Sequence, residues 1–362
     1  MRKYLPHILI ISFVFILAPT AQVASYADEK RLEDAKEEVR KNPDDADAHD
    51  NLGYTYYELG KYKEAIESCK QAIRIDPDFA NAHNNLGLAY GELGKHKKEI
   101  ESYKQAIRLD PDFAWAHGNL GIAYSGLGRH EEAIDAYKQA IKIDPDDANA
   151  HYGLGVAYGE LGKHKKAIES LKQAIRIDPD DAEAHVNLGY AYSELGRYEE
   201  EIESYKQAIR IDPDDATAHN NIGAVYNDLG RYEEAIESSK QAIRIDPDFA
   251  MGHINLGNAY GGLDKYKEAI ESHKHAIRLD PDYAVAHINL GIAYYGSGKY
   301  KEAIESYKQA IRIDPDDADA HYNLGNAYLD LNRKSYALDQ YKILKELDSE
   351  LANELFDEIY SE

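Results

Sequence analysis

Nine of the eleven prolines recur at one constant offset, at Pro43, Pro77, Pro111, Pro145, Pro179, Pro213, Pro247, Pro281 and Pro315. No other feature of the chain limits its fold as tightly. A strict period of this length marks one supersecondary unit written repeatedly, which buries its apolar face only by stacking on its neighbours. Counted from the Ala after each D-P-D-x turn, the units begin at Ala46, Ala80, Ala114, Ala148, Ala182, Ala216, Ala250, Ala284 and Ala318. Nine such units fill 46–351, and of the chain before them 1–27 reads as a leader. The two short stretches left, 28–45 and 352–362, cannot hold a catalytic domain.

Within the second unit, Leu86, Ala89, Tyr90 and Leu93 recur at helical spacing, as do Ile100, Tyr103, Ala106 and Ile107. Gly94 breaks the pattern and Pro111 ends it, so each unit reads as helix, turn, helix. The acids around the proline precede the next helix, where carboxylates cap free N–H groups and suit the helix dipole. A divalent cation at these turns is the alternative, but calcium needs six to eight converging oxygens. Position 8 is Gly in every unit, from Gly53 to Gly325, and position 11 is Tyr, from Tyr56 to Tyr328. Gly costs about 1 kcal/mol in a helix interior, so its repetition implies close approach of the second helix, whose facing residue is usually Ala (Ala65, Ala133, Ala167). The tyrosines fill the seam between helices.

This pattern of His at position 4, Leu or Ile at 7, Gly at 8 and Tyr at 11, followed by Gly, Ala, Tyr, Ala and the terminal Pro, resembles the tetratricopeptide repeat (TPR) over 46–351, most of the chain. The resemblance implies an all-α fold: a right-handed α-solenoid superhelix of antiparallel helix pairs, the first helix of each lining a concave groove. It implies binding of extended peptides or partner segments there, with no chemistry of its own and no cofactor.

Three departures stand out. His occupies position 4, often Trp in the family, at His49, His83, His117, His151, His185, His219, His253, His287 and His321. Neighbouring copies about 10 Å apart cannot share a metal whose bonds are about 2 Å, so these are packing residues and no metal site is expected. If they pack as neutral imidazoles, acid below about pH 6 loosens the whole array. Glu99 and Glu201 replace the small residue facing the position-8 Gly, and local loosening of the packing is the expectation. Asp264 and Asn332 replace the turn Gly. Leu344 and Ser349 make the last unit atypical, as terminal repeats are. Capping helices are read from the stripe Leu32, Ala35 and Val39 over 28–45 and from Leu351, Leu355 and Ile359.

In the TPR resemblance, positions 2, 5, 6, 9 and 12 face the groove. Position 6 is Asn51, Asn85, Asn119, Asn187, Asn221, Asn255, Asn289 and Asn323, with Gly153 the gap. An Asn amide matches the paired C=O and N–H of an extended peptide, and a similar ladder lines the TPR superhelix of O-linked N-acetylglucosamine transferases. The other reading is that Asn is simply common at this position. On the ladder reading, Ala at Asn221, Asn255 and Asn289 weakens partner capture without lowering stability. Trp115, Tyr152, Val186, Met251, Ile254, Ile288, Ile292, Tyr295 and Tyr322 are the remaining candidates, forming apolar pockets. Asp47, Asp50 and Glu58 make the first unit acidic. None of positions 2, 5, 6 or 9 is Lys or Arg, which argues against the carboxylate-clamp subtype and favours a neutral or basic extended protein or peptide segment.

The formal charge of −24 argues against nucleic acid or an anionic membrane as the main partner. The single cysteine, Cys69, rules out a disulfide framework. Arg2 and Lys3 precede an apolar run from Ile8 to Ala18 and small residues ending Ser25-Tyr26-Ala27. This reads as a signal peptide over 1–27, cleaved after Ala27, with Ser25 the alternative site. Eleven apolar residues are short of the about 20 that span a membrane, so no membrane insertion is expected after cleavage. The expectation is an exported protein, periplasmic or extracellular. An uncleaved, membrane-tethering segment is the alternative. No Gly-rich phosphate loop, HExxH or Ser/His/Asp set stands outside the repeat register, so no enzyme is expected. The leading function is a protein-interaction scaffold. A head-to-tail structural homo-oligomer and an accessory subunit of an envelope complex or glycosyltransferase system are the alternatives.

Overall fold

The computed structural model describes residues 26–360. The signal-peptide reading lies outside them except for Tyr26 and Ala27, which open α1 (Tyr26–Lys41). The described chain is all helical. The first, A, helix of successive pairs is α2 (Ala46–Glu58), α4 (Ala80–Gly91), α6 (Ala114–Ser125), α8 (Ala148–Glu160), α10 (Ala182–Ser193), α12 (Ala216–Asp228), α14 (Ala250–Gly262), α16 (Ala284–Gly296) and α18 (Ala318–Asp330). The B helices that alternate with them along the chain are α3 (Tyr62–Ile75), α5 (His96–Leu109), α7 (His130–Ile143), α9 (His164–Ile177), α11 (Tyr198–Ile211), α13 (Tyr232–Ile245), α15 (Tyr266–Leu279), α17 (Tyr300–Ile313) and α19 (Lys334–Leu347), and α20 (Ser349–Tyr360) follows. No described helix is long and apolar enough to cross a membrane.

The chain forms two compact units, one ending at Arg197 and the other beginning at Tyr198. Within each, A packs on its B, B packs on the next A, and consecutive A helices touch one another. Consecutive B helices make no comparable contact, so in each unit the A helices form the tighter, inner face. In the second unit α20 takes the place of a further A helix, packing on α18 and α19 and burying Ala352, Leu355 and Ile359.

Local chemistry explains each boundary. The first Asp of the D-P-D turn accepts the backbone N–H two residues on, as Asp76 does from Asp78 at 3.0 Å. Where the residue before the A helix is also Asp, it caps that helix: Asp147 accepts from Ala150 N–H at 3.0 Å and Asp317 from Ala320 N–H at 2.8 Å. The turn inside the pair needs positive φ, met by Gly60 at 69° and equally by Asp264 at 58° and Asn332 at 55°. The Tyr266 hydroxyl donates to Asp264 Oδ1 at 2.6 Å, anchoring that substitution.

Position 8 works differently from the sequence expectation. A Cβ on Gly87 would stand 2.5 Å from the Tyr103 ring, on Gly121 2.7 Å from Tyr137, and on Gly53 2.6 Å from the Cys69 sulfur. In these repeats the glycine therefore clears room for the side chain at position 24, rather than letting an alanine approach, and in the last repeat Gly325 makes room for Leu355 of α20. Position 4 also does more than pack. In all nine repeats His Nε2 donates to the proline carbonyl six residues earlier, at 2.9–3.4 Å, tying the turn to its A helix. The carbonyl only accepts, so Nε2 carries the proton. Burial lowers the pKa of His83, His185 and His253.

The local loosening expected at Glu99 is not what the structure shows. Its carboxylate is buried against Gly91 and accepts a 3.0 Å bond from His96 Nδ1, and burial raises its pKa against that bond. Gly91, with no Cβ to clash, is what admits it. Glu201 is buried as well, at 2 % exposure, so its carboxylate does not turn out to solvent.

Candidate partner-binding groove

Charge is segregated by helix type. The nine A helices contain no Lys or Arg, yet carry Asp47, Asp50, Glu58, Glu160, Glu183, Asp228, Asp319 and Asp330. Among the described residues the basic side chains sit in α1, the B helices and the turns, where many cover tyrosines. Seven of the position-11 rings carry a Lys or Arg within 6 Å. Arg129 lies 4.4 Å from the Tyr124 centroid and Arg231 4.4 Å from Tyr226. Such contacts contribute about 0.5–1 kcal/mol at exposed sites. They also hold the cations on the B side. The inner face of each unit is left with carboxylates and neutral groups.

The position-6 asparagines are engaged mainly with protein. Asn85 Nδ2 donates to both oxygens of Asp50, at 3.0 and 3.1 Å. Asn119 donates to Asn84 Oδ1 at 3.0 Å, Asn187 to the Tyr152 hydroxyl at 3.1 Å, and Asn255 to Asn220 Oδ1 at 2.8 Å. Each partner stands at position 5 of the preceding repeat. The amide thus stitches one A helix to the next wherever that position offers an acceptor. Where position 5 is Ile288, the following Asn323 turns to the Asp319 carbonyl on its own helix instead. Gly153 interrupts the series because a Cβ there would overlap the Tyr137 ring. Asn51 is exposed, and Asn221 and Asn289 are half-buried.

The stitches revise the stability expectation. Asn255→Ala removes a buried hydrogen bond and is expected to cost about 1–3 kcal/mol, whereas Asn323→Ala should cost a few tenths. Denaturant unfolding of the two variants tests this; equal small losses would show that the stitches are energetically idle.

The apolar candidates divide by exposure. Trp115 is 67 % exposed, and seven positions along the same face of α6 Ile122 is 60 % exposed; Ile292 is exposed on α16. Tyr152, Met251, Tyr295 and Tyr322 are half-buried. The Met251 sulfur accepts from the Tyr283 hydroxyl at 3.0 Å, and the Tyr322 hydroxyl donates to Glu358 at 3.0 Å. Val186, Ile254, Asn255 and Ile288 are buried, and the pockets expected at them are corrected accordingly. Ile254 packs with Ala276 and Ala286, because position 5 of this repeat points at the next repeat rather than at the groove. Ile122 escaped sequence reading, although its spacing of seven from Trp115 is a helical-face signal.

Asp50 is a strongly perturbed carboxyl on this face. It is 7 % exposed, and burial pushes its pKa up to about 6 against the stabilising Asn85 bond.

Family models for the TPR (tetratricopeptide) repeat match residues 225–264, 262–298 and 293–332, and a further one matches 204–237. The model of the cilia and flagella-associated protein 70 C-terminal domain matches residues 22–210. Among solved structures, MamA is 31 % identical, with 46 % of this chain and 97 % of that chain covered at a TM-score of 0.43. PilF of Pseudomonas aeruginosa is 23 % identical, with coverage of 58 % and 97 % and a TM-score of 0.50. A tetratricopeptide repeat protein of Parabacteroides merdae is 17 % identical, with coverage of 68 % and 99 % and a TM-score of 0.58. No curated protein matches significantly.

Proposed function

Because the chain belongs to the tetratricopeptide repeat family, whose members bind peptides or proteins, we propose that it is a non-catalytic scaffold gripping an extended, neutral or basic polypeptide segment on its A-helix face. One observation carries this reading: the A helices hold eight carboxylates and not one Lys or Arg. A face of one sign favours ligands of the other and speeds their encounter in a salt-dependent way. The position-6 amides contribute rigidity between repeats. The site of action is outside the cytoplasm, a reading supported by Arg2, Lys3 and the apolar run that follows them.

Panning a displayed library of random dodecapeptides against the protein tests the charge preference. The expected outcome is enrichment of net-positive sequences whose capture weakens as salt rises. Enrichment of net-negative sequences, or none, contradicts it. A second reading, head-to-tail association of copies, is favoured by exposed Tyr336, Ile343, Phe356 and Tyr360 on α19 and α20. A monomer mass by light scattering at high concentration would remove that reading.

A further inference from the structure

Trp115 is the protein's single tryptophan, and it stands 67 % exposed in the first turn of α6. Elsewhere the chain covers its aromatic seams with its own cations, as at Tyr90, Tyr124, Tyr158, Tyr192, Tyr226, Tyr260 and Tyr294. Among the described residues no Lys or Arg lies over Trp115. The A helices supply none, and many of the B-side cations lie over tyrosines. Indole is the strongest cation-binding face among the aromatic side chains.

The surroundings shape a seat. Three positions along the helix, a Cβ on Gly118 would meet nothing within 4 Å, so the floor beside the indole is bare backbone facing open space. Ile122 lies seven positions from Trp115 on the same face, at 60 % exposure. Asn119 is fixed by its 3.0 Å bond to Asn84, which holds the floor against α4. The same unit's A helices carry Asp47, Asp50, Glu58, Glu160 and Glu183 and no Lys or Arg, with Arg31 of α1 pairing to Glu58.

Resting on the groove reading above, we infer that Trp115 seats a cationic side chain of the bound segment, Arg or Lys. The charged head stacks on the indole, and its aliphatic stem runs over Gly118 toward Ile122. The carboxylates favour a cation over an apolar occupant, because an apolar side chain would gain nothing from their field. Arg and Lys lay their methylene stems on apolar surface in this way while the head stays solvated.

The only indole makes the test direct. An (Arg-Ser)6 dodecapeptide is titrated against the full chain and followed by tryptophan emission and calorimetry, beside (Cit-Ser)6, in which uncharged citrulline replaces arginine. The expected results are an emission change with the arginine peptide and a roughly fivefold to tenfold loss of its affinity in Trp115→Leu. Leucine keeps apolar surface, so a purely hydrophobic role would be rescued. Circular dichroism of the variant should match the parent, since Trp115 is exposed. Binding with unchanged emission and unchanged affinity in Trp115→Leu overturns the seat and leaves the groove reading standing. Equal affinity for the citrulline peptide overturns the cationic occupant. Binding of neither peptide overturns the seat and the basic-segment reading together.

Discussion

Acidification from pH 7 to pH 4 is expected to destabilise the second unit by about 3 kcal/mol through one side chain, His273. It occupies position 24 of the seventh repeat, where Tyr stands in most others, and its ring fills the space left by Gly257. It is 2 % exposed, its Nδ1 has no hydrogen-bond partner, and burial alone pushes its pKa down to about 3. The unfolded imidazole titrates near 6.5, so between these values the unfolded chain binds a proton that the folded chain refuses. Stability from this group is complete above pH 6.5 and drains away as pH falls toward 3, at about 1.4 kcal/mol per pH unit. His253, its pKa lowered first by burial and then by neighbouring His275, acts in the same direction, so the parent alone does not isolate the effect. His273→Leu does. Leucine already fills this position against a glycine in the fourth repeat, as Leu171 against Gly155. Unfolding of the variant should lose the largest part of the acid dependence. A variant as acid-sensitive as the parent would show that His273 is not the group that titrates.

The second large effect has the opposite sign. Asp50→Asn is expected to stabilise the first unit by about 3 kcal/mol at pH 7. The buried Asp50 carboxyl titrates near 6 in the fold, against an ordinary aspartate value of 3.8, so at pH 7 the fold bears the cost of a buried charge. For this group the folded state binds the proton first. Stability is therefore lowest above pH 6 and rises as pH falls toward 4. Asparagine removes the charge and can keep the stitch, because Asn84–Asn119 and Asn220–Asn255 already make the same pairing. The variant should melt higher at pH 7 and should lack the gain on acidification that hydrogen exchange in α2 and α4 reports for the parent. A lower melting temperature at pH 7 would mean that the carboxylate contributes more to the stitch than its burial costs.

The helix pairs and their turns were legible because both follow from local chemistry repeated in register. Asp-Pro-Asp closes one helix and opens the next, and the left-handed turn position accepts Gly, Asp264 or Asn332. What lay beyond a single unit was not legible. Gly87 faces Tyr103 and Gly257 faces His273, but which residue needs the room depends on interhelical packing rather than on spacing. The asparagine stitches join side chains one position off the repeat period, and only the stagger of neighbouring A helices brings them together. The same stagger buries Ile254 and Ile288, which helical position alone would send to the groove. Trp115 reads correctly as exposed because nothing in the neighbouring repeats competes for it.

Where a bound segment lies decides between the A-helix face and any other surface. A dodecapeptide of alternating Arg and Ser, carrying a central benzoylphenylalanine, can be photo-crosslinked to the full chain and its adducts located by mass spectrometry. Adducts on α4, α6, α8, α14 or α16, reduced by raised salt, are the predicted result. Adducts confined to B helices such as α5, α7 and α15 would contradict the assignment of the acidic, lysine- and arginine-free face as the one that binds.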